Sequence, residues 1–555
     1  MTVAIDYDIG QNPELLREVF GLQVAIFNWV KAFLRYGSQE KIYFLIGDVK
    51  AWGEVQDLAK EIGFDPDRLV AFDRRFVQQN YTHVSTVFRP DPVAQRILWR
   101  RETVPGPGFN FCGLAHAISG LETGTLLEQY CLAPTEDTDA IVCPSRAVAA
   151  SIRAFLDMYD DYLQKRFGTA FRCPIQLPVI PLGIDVDKFE SMATPDKRAE
   201  QRQKLGLGED DIVLLWIGRL SHAIKAHPLA MFQAAERAAE ITGAKVHLVM
   251  QGYFVPDDCE PQFRDLAKAM CHKATVTFVP NRDPRFPDGL WAAGDIFLSL
   301  IDNMQESFGL TPIEAMAAGL PRVISDWDGY RDSVTHGEDG FLITTRQPPA
   351  GTGEALAELL LSDRELYGGY LAKTALSVAI DQEMAAQCIA TLIRDKNLRQ
   401  SMAAKAKLRV RATYDWKHII PRYESFWGEM AAKRRAAHLD GKKIPWASLP
   451  PQAPDPYAMY AAYPTEAFME TGTVSVAATA DQIKGLLKHE INIFGLDVMI
   501  APEAAMRLIS TLSKQGSVSI ADVLRQHPDL DRSQMWRTLG WLTKLGILRY
   551  ASHGA

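Results

Sequence analysis

Short apolar runs alternate with amphipathic stretches through the first four hundred residues, and that alternation constrains the fold more than any other feature of the chain. IYFLIG (42–47), AIVCPS (140–145), PVIPLG (178–183) and IVLLWIG (212–218) read as buried strands ending in turns. So do VHLVMQG (246–252), VTFVP (276–280), IFLSL (296–300) and RVISD (322–326). Segments such as LAMFQAAERAAEIT (229–242) between them carry apolar residues at helical spacing. Buried strands alternating with helices make βαβ units and a parallel sheet. There are too many units for one doubly wound sheet, and the charged stretch TPDKRAEQRQKLGLGEDD (194–211) separates two series of them. The expected fold is therefore α/β: two Rossmann-like domains, 1–205 and 206–400, facing each other across a cleft.

Bulk properties remove several function classes. The chain is 47% hydrophobic and 23% charged with a net charge of −8, which is material for buried cores and argues against disorder and against nucleic acid as a partner. Cysteines stand at 112, 131, 143, 173, 259, 271 and 388, an odd set without a C-x-x-C pair. That usage is expected of a reduced, cytoplasmic protein rather than of a disulfide framework or a zinc site. The start, MTVAIDYDIGQNPELL, is acidic and lacks an apolar core, so no signal peptide is expected, and no apolar run is long enough to span a bilayer.

After the helical residues 401–432, AAKRRAAHLDGKKIPWASLPPQAPDPYAMYAAYP reads as a linker, placed at 433–480. Its cations Lys433, Arg434, Arg435, Lys442 and Lys443 suit either a solvated linker, the favoured reading, or peripheral contact with the inner face of an anionic membrane. The segment 481–555 is expected to be a small, mainly helical domain of winged-helix type. Asp531 and Gln534 mark the start of its last helix, and Met535, Leu539 and Leu542 give that helix one buried face. Nine Lys/Arg against seven Asp/Glu is a weak basic excess for binding DNA, so a protein partner or a second copy of the chain is preferred for this domain.

The stretch ESFGLTPIEAMAAGLP (306–321) holds the candidate chemistry, and its residues admit two readings. In the first, Thr311 caps a helix, Pro312 opens it, Glu314 completes a T-x-x-E capping box and Gly319 stops it. Glu306 is then a surface residue. In the second, Glu306 follows the strand 296–300 at the carboxyl end of a parallel sheet, where open α/β folds bind ligands. The backbone amides of Ser307, Phe308, Gly309 and Leu310 at a helix start suit an anion, and the glutamates suit polyol hydroxyls. A ligand that is both phosphate and sugar would satisfy both.

ESFGLTPIEAMAAGLPRVISDWDGYRDSVTHGEDGFLI (306–343) resembles the E-x7-E region of family 4 of the retaining glycosyltransferases of GT-B fold. WIGRLSHAIKAHPLA (216–230) is similar to the family's G-R-L…K segment. VIPLGIDVDKF, LWAAGDIFLSL and TYDWKHIIPRYESFW resemble the close of the first domain, the strand before the donor loop and the helix returning to the first domain. The likeness covers roughly residues 90–430. It implies transfer of a hexose, with retention, from a UDP- or GDP-linked sugar to a carbohydrate, lipid or protein acceptor such as an envelope or capsular glycan. The first domain would lie on the acceptor side and the second would hold the nucleotide sugar.

The same resemblance implies the site residues. Arg219 and Lys225 would stabilise the leaving diphosphate, the amides of 307–310 would bind phosphate and sugar oxygens, Glu306 would hold the transferred sugar and Glu314 the ribose. Gly21, before a long amphipathic helix, is the candidate for the family's glycine-rich donor loop, with an ordinary helix-start glycine as the alternative. His116, after VPGPG (104–108), is the candidate for a histidine near the reacting centre. No metal and no cofactor is expected, since the cations with the helix dipole take the metal's place. Two other readings of such a chain are a sugar-nucleotide epimerase or hydrolase of the same fold, and a non-catalytic nucleotide-sugar-binding scaffold.

Overall fold

Strands β1 (Val3–Tyr7), β2 (Ile42–Ile46), β3 (Leu69–Asp73), β4 (Thr86–Arg89), β5 (Asn110–Leu114) and β6 (Ala140–Val142) form one sheet. Strands β7 (Ile212–Ile217), β8 (Val246–Gly252), β9 (Thr275–Pro280), β10 (Ile296–Ser299), β11 (Arg322–Ser325) and β12 (Gly340–Ile343) form another. These come from a computed structural model that describes residues 2–7, 21–76, 80–104, 106–439 and 453–552. The strand orders are β3-β2-β1-β4-β5-β6 and β12-β11-β10-β7-β8-β9, and neighbouring strands are parallel throughout. Both sheets thus have the doubly wound order of a Rossmann fold, reversing between β1 and β4 and between β7 and β10. The two halves are two Rossmann-like domains, the arrangement of the GT-B fold. A short antiparallel pair, β13 (Thr345–Arg346) with β14 (Ala379–Ile380), follows the second sheet.

The central strands are apolar on both faces because helices cover both. β7 reads IVLLWI with its first five residues buried. The helix Leu229–Thr242 matches the sequence expectation to the residue, buries seven of its side chains and ends on Gly243 at φ 69°. PVIPLG (178–183) does not form the expected strand. Pro178 and Pro181 lack the amide hydrogens a ladder needs, so the segment keeps only isolated pairing, with Ile180 N donating to Cys143 O at 3.1 Å.

The chain passes between the halves twice. At the passages Ile184 N donates to Tyr414 O at 2.8 Å and Trp416 N donates to Ile184 O at 3.3 Å. A Cβ at Gly183 would lie 2.6 Å from the Trp416 indole, so only glycine fits there. The helix Trp416–Leu439 then returns to the first sheet, as the sequence implied. Its Trp427 and Tyr423 join Trp29, Phe33 and Phe88 in a buried aromatic cluster, with Trp29 and Phe88 centroids 4.2 Å apart and Phe88 and Trp427 5.3 Å apart.

That helix continues into the stretch read above as a linker, as far as Leu439. Arg434 is buried, bonding Glu136 at 2.6 Å and the Pro107 carbonyl at 2.6 Å, and Lys433 pairs with Asp137 at 2.9 Å. Two of the three clustered cations are therefore held by acids of the first half, Arg434 buried and Lys433 exposed, and Arg435 is exposed as well. Among the described residues no helix is long and apolar enough to cross a membrane.

The chain divides into two compact units, Met1–Pro450 and Pro451–Ala555. The second has an antiparallel sheet of order β16-β15-β17, built from β15 (Thr473–Val476), β16 (Val518–Ser519) and β17 (Leu548–Ala551). β15 precedes residue 481, so the fold of this unit starts earlier than its helical pattern suggested. Helices Pro502–Gln515, Ile520–Gln526 and Arg532–Lys544 close over the sheet on a core that includes Val474, Leu508 and Leu512. Asp531 caps the last helix by accepting from Gln534 N at 2.7 Å, and Met535, Leu539 and Leu542 are buried, as their spacing required.

Candidate active site

The reversal of strand order between β7 and β10 opens a crevice at their carboxyl ends, and the loops that leave there carry Arg219, Lys225 and Glu306. The loop after β7 is a tight turn: the amides of Lys225 and Ala226 both donate to Ser221 O, at 3.1 and 3.0 Å. The loop after β10 is stitched to it. Asn303 Nδ2 donates to Ala223 O at 2.8 Å, His227 N donates to Asp302 Oδ1 at 3.2 Å and Arg219 donates to Gln305 Oε1 at 3.4 Å. Lys225 Nζ and Glu306 Oε2 then meet at 2.5 Å, with side chains 16% and 13% exposed.

Electrostatics follow from that pair. Burial pushes the Glu306 carboxyl up, but the adjacent Lys225 ammonium more than reverses this and carries it below its ordinary value. Burial likewise works against the Lys225 ammonium, and Glu306 holds it above its ordinary value. Ser307 N donates to Glu306 Oε1 at 3.3 Å, so the glutamate draws on one of the amides expected to serve an anion.

The helix carrying Glu314 is Leu310–Ala318, and it differs from the capping-box reading. Its N-cap is Gly309, at φ 87° and ψ 89°, without a side-chain cap bond. Thr311 and Glu314 lie inside the helix. The physical reason is Gly309: its left-handed backbone starts the helix before Thr311, and a Cβ there would fall 2.2 Å from the Tyr330 ring. A Cβ at Gly329 would fall 2.4 Å from Phe308 Cα, so the turn 307–309 rests directly on the backbone of the next loop. Gly319 ends the helix at φ 77°, as expected. Glu314, freed from capping, accepts no hydrogen bond among the described residues. Burial pushes its carboxyl up to about 7, opposed by Lys188 and Lys225.

The sequence residues do not all converge. Arg219, Lys225, Glu306 and the turn Ser307–Leu310 form one group. Phe308 contributes only its backbone there, since its side chain is 2% exposed and faces Tyr414. His116 stands at the carboxyl end of β5, where its Nε2 donates to Pro90 O at 2.8 Å and burial lowers its pKa, and its described hydrogen bond stays within the first half. Gly21 is the first residue of the helix Gly21–Tyr36, and the rest of the expected glycine loop, with Gly10, lies outside the described residues.

A cavity of about 430 Å³ opens between the halves, lined by Ile118, Val148 and Ser151 from the first and by Asp302, Glu306 and Asp328 from the second. Sequence reading missed Asp302 and Asp328. Burial pushes Asp302 up to about 7, and burial with the nearby Glu306 charge pushes Asp328 up to about 8. Asp328 has φ 43°, a conformation uncommon outside glycine, and its Oδ2 is buried without a hydrogen-bond partner. Its Oδ1 accepts from Ser145 Oγ at 3.3 Å, and Asp332 binds the Arg146 backbone amide at 2.8 Å and guanidinium at 2.7 Å, joining the halves along this edge. The one sequence signal was the aspartate before Gly329, in a loop leaving a strand. A larger cavity, about 800 Å³, lies at the ends of β8 and β9 between Tyr253, Phe254, Arg264, Phe278 and Arg282.

Residues 197–374 match the family model described as glycosyl transferases group 1. This segment is a group 1 glycosyltransferase domain. It contains the crevice, both glutamates and both cations of the site. A D-inositol 3-phosphate glycosyltransferase of Geodermatophilus obscurus is 30% identical over 197 residues, 35% of this chain and 42% of that protein. D-inositol 3-phosphate glycosyltransferase 2 of Catenulispora acidiphila is 31% identical over 219 residues, 38% of this chain and 49% of that protein. The glycosyltransferase match thus spans less than half the length of these relatives. Among solved structures, Anabaena Alr3699/HepE in complex with UDP aligns with a TM-score of 0.48 and 16% identity over 77% of this chain and 100% of that one.

Proposed function

We propose that the chain transfers a hexose, with retention, from a nucleotide-diphosphate sugar to a hydroxyl acceptor, and does so without a metal ion. The observation that carries this reading is the Lys225–Glu306 pair at 2.5 Å, beside Arg219, in the crevice of a group 1 glycosyltransferase domain. A diphosphate entering the crevice offers Lys225 a different anion and frees the Glu306 carboxylate to accept sugar hydroxyls. Arg219 and Lys225 then face the charge that grows on the leaving diphosphate, where fixed cations lower the barrier most. The amides of 307–310 contribute at the same place once Glu306 has turned away from Ser307. The aromatic-lined cavity at the ends of β8 and β9 has the size and the stacking faces for the nucleoside, and Glu314, at the helix behind the turn, is assigned to the ribose. His116 donates from Nε2 to Pro90 and is kept neutral by burial, which leaves Nδ1 to accept from a sugar or acceptor hydroxyl.

The relatives named as D-inositol 3-phosphate glycosyltransferases make a phosphorylated cyclitol the first acceptor to try, ahead of an envelope or capsular glycan. The experiment is release of nucleoside diphosphate from UDP-, GDP- and ADP-sugars, with and without EDTA and with and without inositol phosphate. Turnover of one donor in EDTA, rising with acceptor and lost in Arg219→Ala, supports the reading. Release at the same rate without any acceptor supports a hydrolase or epimerase. No binding of any nucleotide sugar overturns it.

A further inference from the structure

The second unit carries an apolar knob held rigidly in solvent. Ile491 is 79% exposed, Phe494 86% and Val498 45%, on the segment 489–498. This is no slack loop. Trp541 Nε1 donates to Asn492 O at 2.8 Å, Asn492 Nδ2 donates to Leu486 O at 2.8 Å and Arg537 Nε donates to Val498 O at 2.7 Å. The helix Arg532–Lys544 therefore fixes the backbone while the large side chains point away from the unit's own core. A fixed, exposed cluster of Phe, Ile and Val marks an interaction surface.

The same unit has a matching concavity. An apolar groove of about 580 Å³ runs between the helices Ala480–Leu486 and Pro502–Gln515, with Ile483, Leu487, Met506 and Ile509 along it and Lys484 and Lys488 on its rim. The knob is flanked by Glu490 and Asp497, both exposed. Among the described residues none of these four charges forms an ion pair. An acidic-edged apolar knob and a basic-edged apolar groove are complementary in chemistry and in the sign of their edge charges. The three anchoring bonds hold the knob's backbone in place on its own chain.

We propose that the occupant of this groove is the knob of a second copy, with the two chains exchanging knobs about a two-fold axis. Exchange gives two identical contacts and closes the assembly, whereas a single head-to-tail contact would extend it into a filament. The interface is independent of the reading of the crevice, so each can fail alone.

Sedimentation velocity of the full chain at micromolar concentration tests it. The wild type is expected to be a dimer. Phe494→Asp and Met506→Asp alter surface residues only, keep the wild-type melting temperature, and each weaken association by roughly tenfold or more. Mixed one to one, they recover part of the dimer, because one knob–groove contact survives in the mixed pair. Lys484→Glu with Lys488→Glu weakens association, and adding Glu490→Lys with Asp497→Lys restores it. A monomeric wild type overturns the proposal, as does a dimer that survives Phe494→Asp or a mixture that stays monomeric. A monomer that binds anionic vesicles through Phe494 also overturns it, in favour of a membrane surface.

Discussion

The two Rossmann-like halves share one strand order yet treat charge at the reversal of that order in opposite ways. In the first half, Asp6 sits within β1, 3% exposed, and is held by Arg89 at 2.9 Å and by Arg74, which also bonds the Tyr7 carbonyl at 3.1 Å. With Asp91, which Arg89 also bonds at 2.7 Å, two carboxylates and two guanidiniums balance and tie β1, β4 and the end of β3 together. In the second half, β7 and β10 carry no charged residue, and the charges Arg219, Lys225 and Glu306 ride on the loops beyond. Identical topology therefore supports a structural ion cluster in one place and a ligand-facing one in the other, so function has to be argued from side chains rather than from strand order.

The comparison can be broken by mutation. The largest effect on stability is expected at Asp6→Ala, which leaves two partly buried arginines without their shared partner and costs about 3–5 kcal/mol. Urea unfolding measures it, and donor turnover per folded molecule should stay at the wild-type level. Arg219→Ala and Lys225→Ala should do the reverse. Nucleoside diphosphate release falls by roughly 10²–10³-fold, with a much smaller loss of stability for Arg219→Ala than for Asp6→Ala. Equal loss of activity from both halves would erase the contrast.

Gly309→Ala comes next. A left-handed backbone and a Cβ 2.2 Å from the Tyr330 ring should destabilise the domain by roughly 2–3 kcal/mol and displace the turn that presents Glu306. Thermal melting and donor binding should both respond. The smallest effect is expected from pH. Asp328 has its pKa raised from 3.8 to about 8, so its contribution favours the fold most below about pH 4 and is lost as pH rises through 8. Asp328→Asn removes the ionisation and accepts the φ of 43°. It should melt above the wild type at pH 8 and converge with it toward pH 4. Glu306 has the opposite sign: its lowered pKa gives stability present above about pH 4.5 and lost as pH falls further, so Glu306→Gln should flatten the acid limb.

Much of the fold was legible because buried parallel strands are written as unbroken apolar runs. Seven of the eight runs read as strands are strands, and the eighth failed on Pro178 and Pro181. β1, β3, β4, β5 and β12 escaped notice; Asp6, Thr86, Arg89 and Asn110 interrupt the apolar patterns of β1, β4 and β5, and Asp6 and Arg89 find each other only in three dimensions. Lys433 and Arg434 misled for the same reason, their partners Asp137 and Glu136 lying some three hundred residues away in sequence. At the site, the order of Arg219, Lys225 and Glu306 along the chain was informative, and so was the strand before each loop. The Gly309 cap was not, because T-x-x-E satisfies the rule for a capping box and only the packing of Tyr330 decides against it. Asp328 showed in the sequence only as an aspartate before Gly329, since its setting is built from Ser145 and a cavity wall contributed by the other half.

The two passages between the halves run side by side and are bonded to each other through Ile184, Tyr414 and Trp416. Mechanically they form a single axle. Two bodies joined by one axle keep essentially one rotational freedom, so the expected motion of the halves is that of a book on its spine rather than a slide or twist. Arg219, Lys225 and Glu306 all lie on one cover and keep their mutual distances through the swing. The bonds from Ser145 to Asp328, from Arg146 to Asp332 and from Ser119 to Tyr367 run from cover to cover, and such a swing would have to part them.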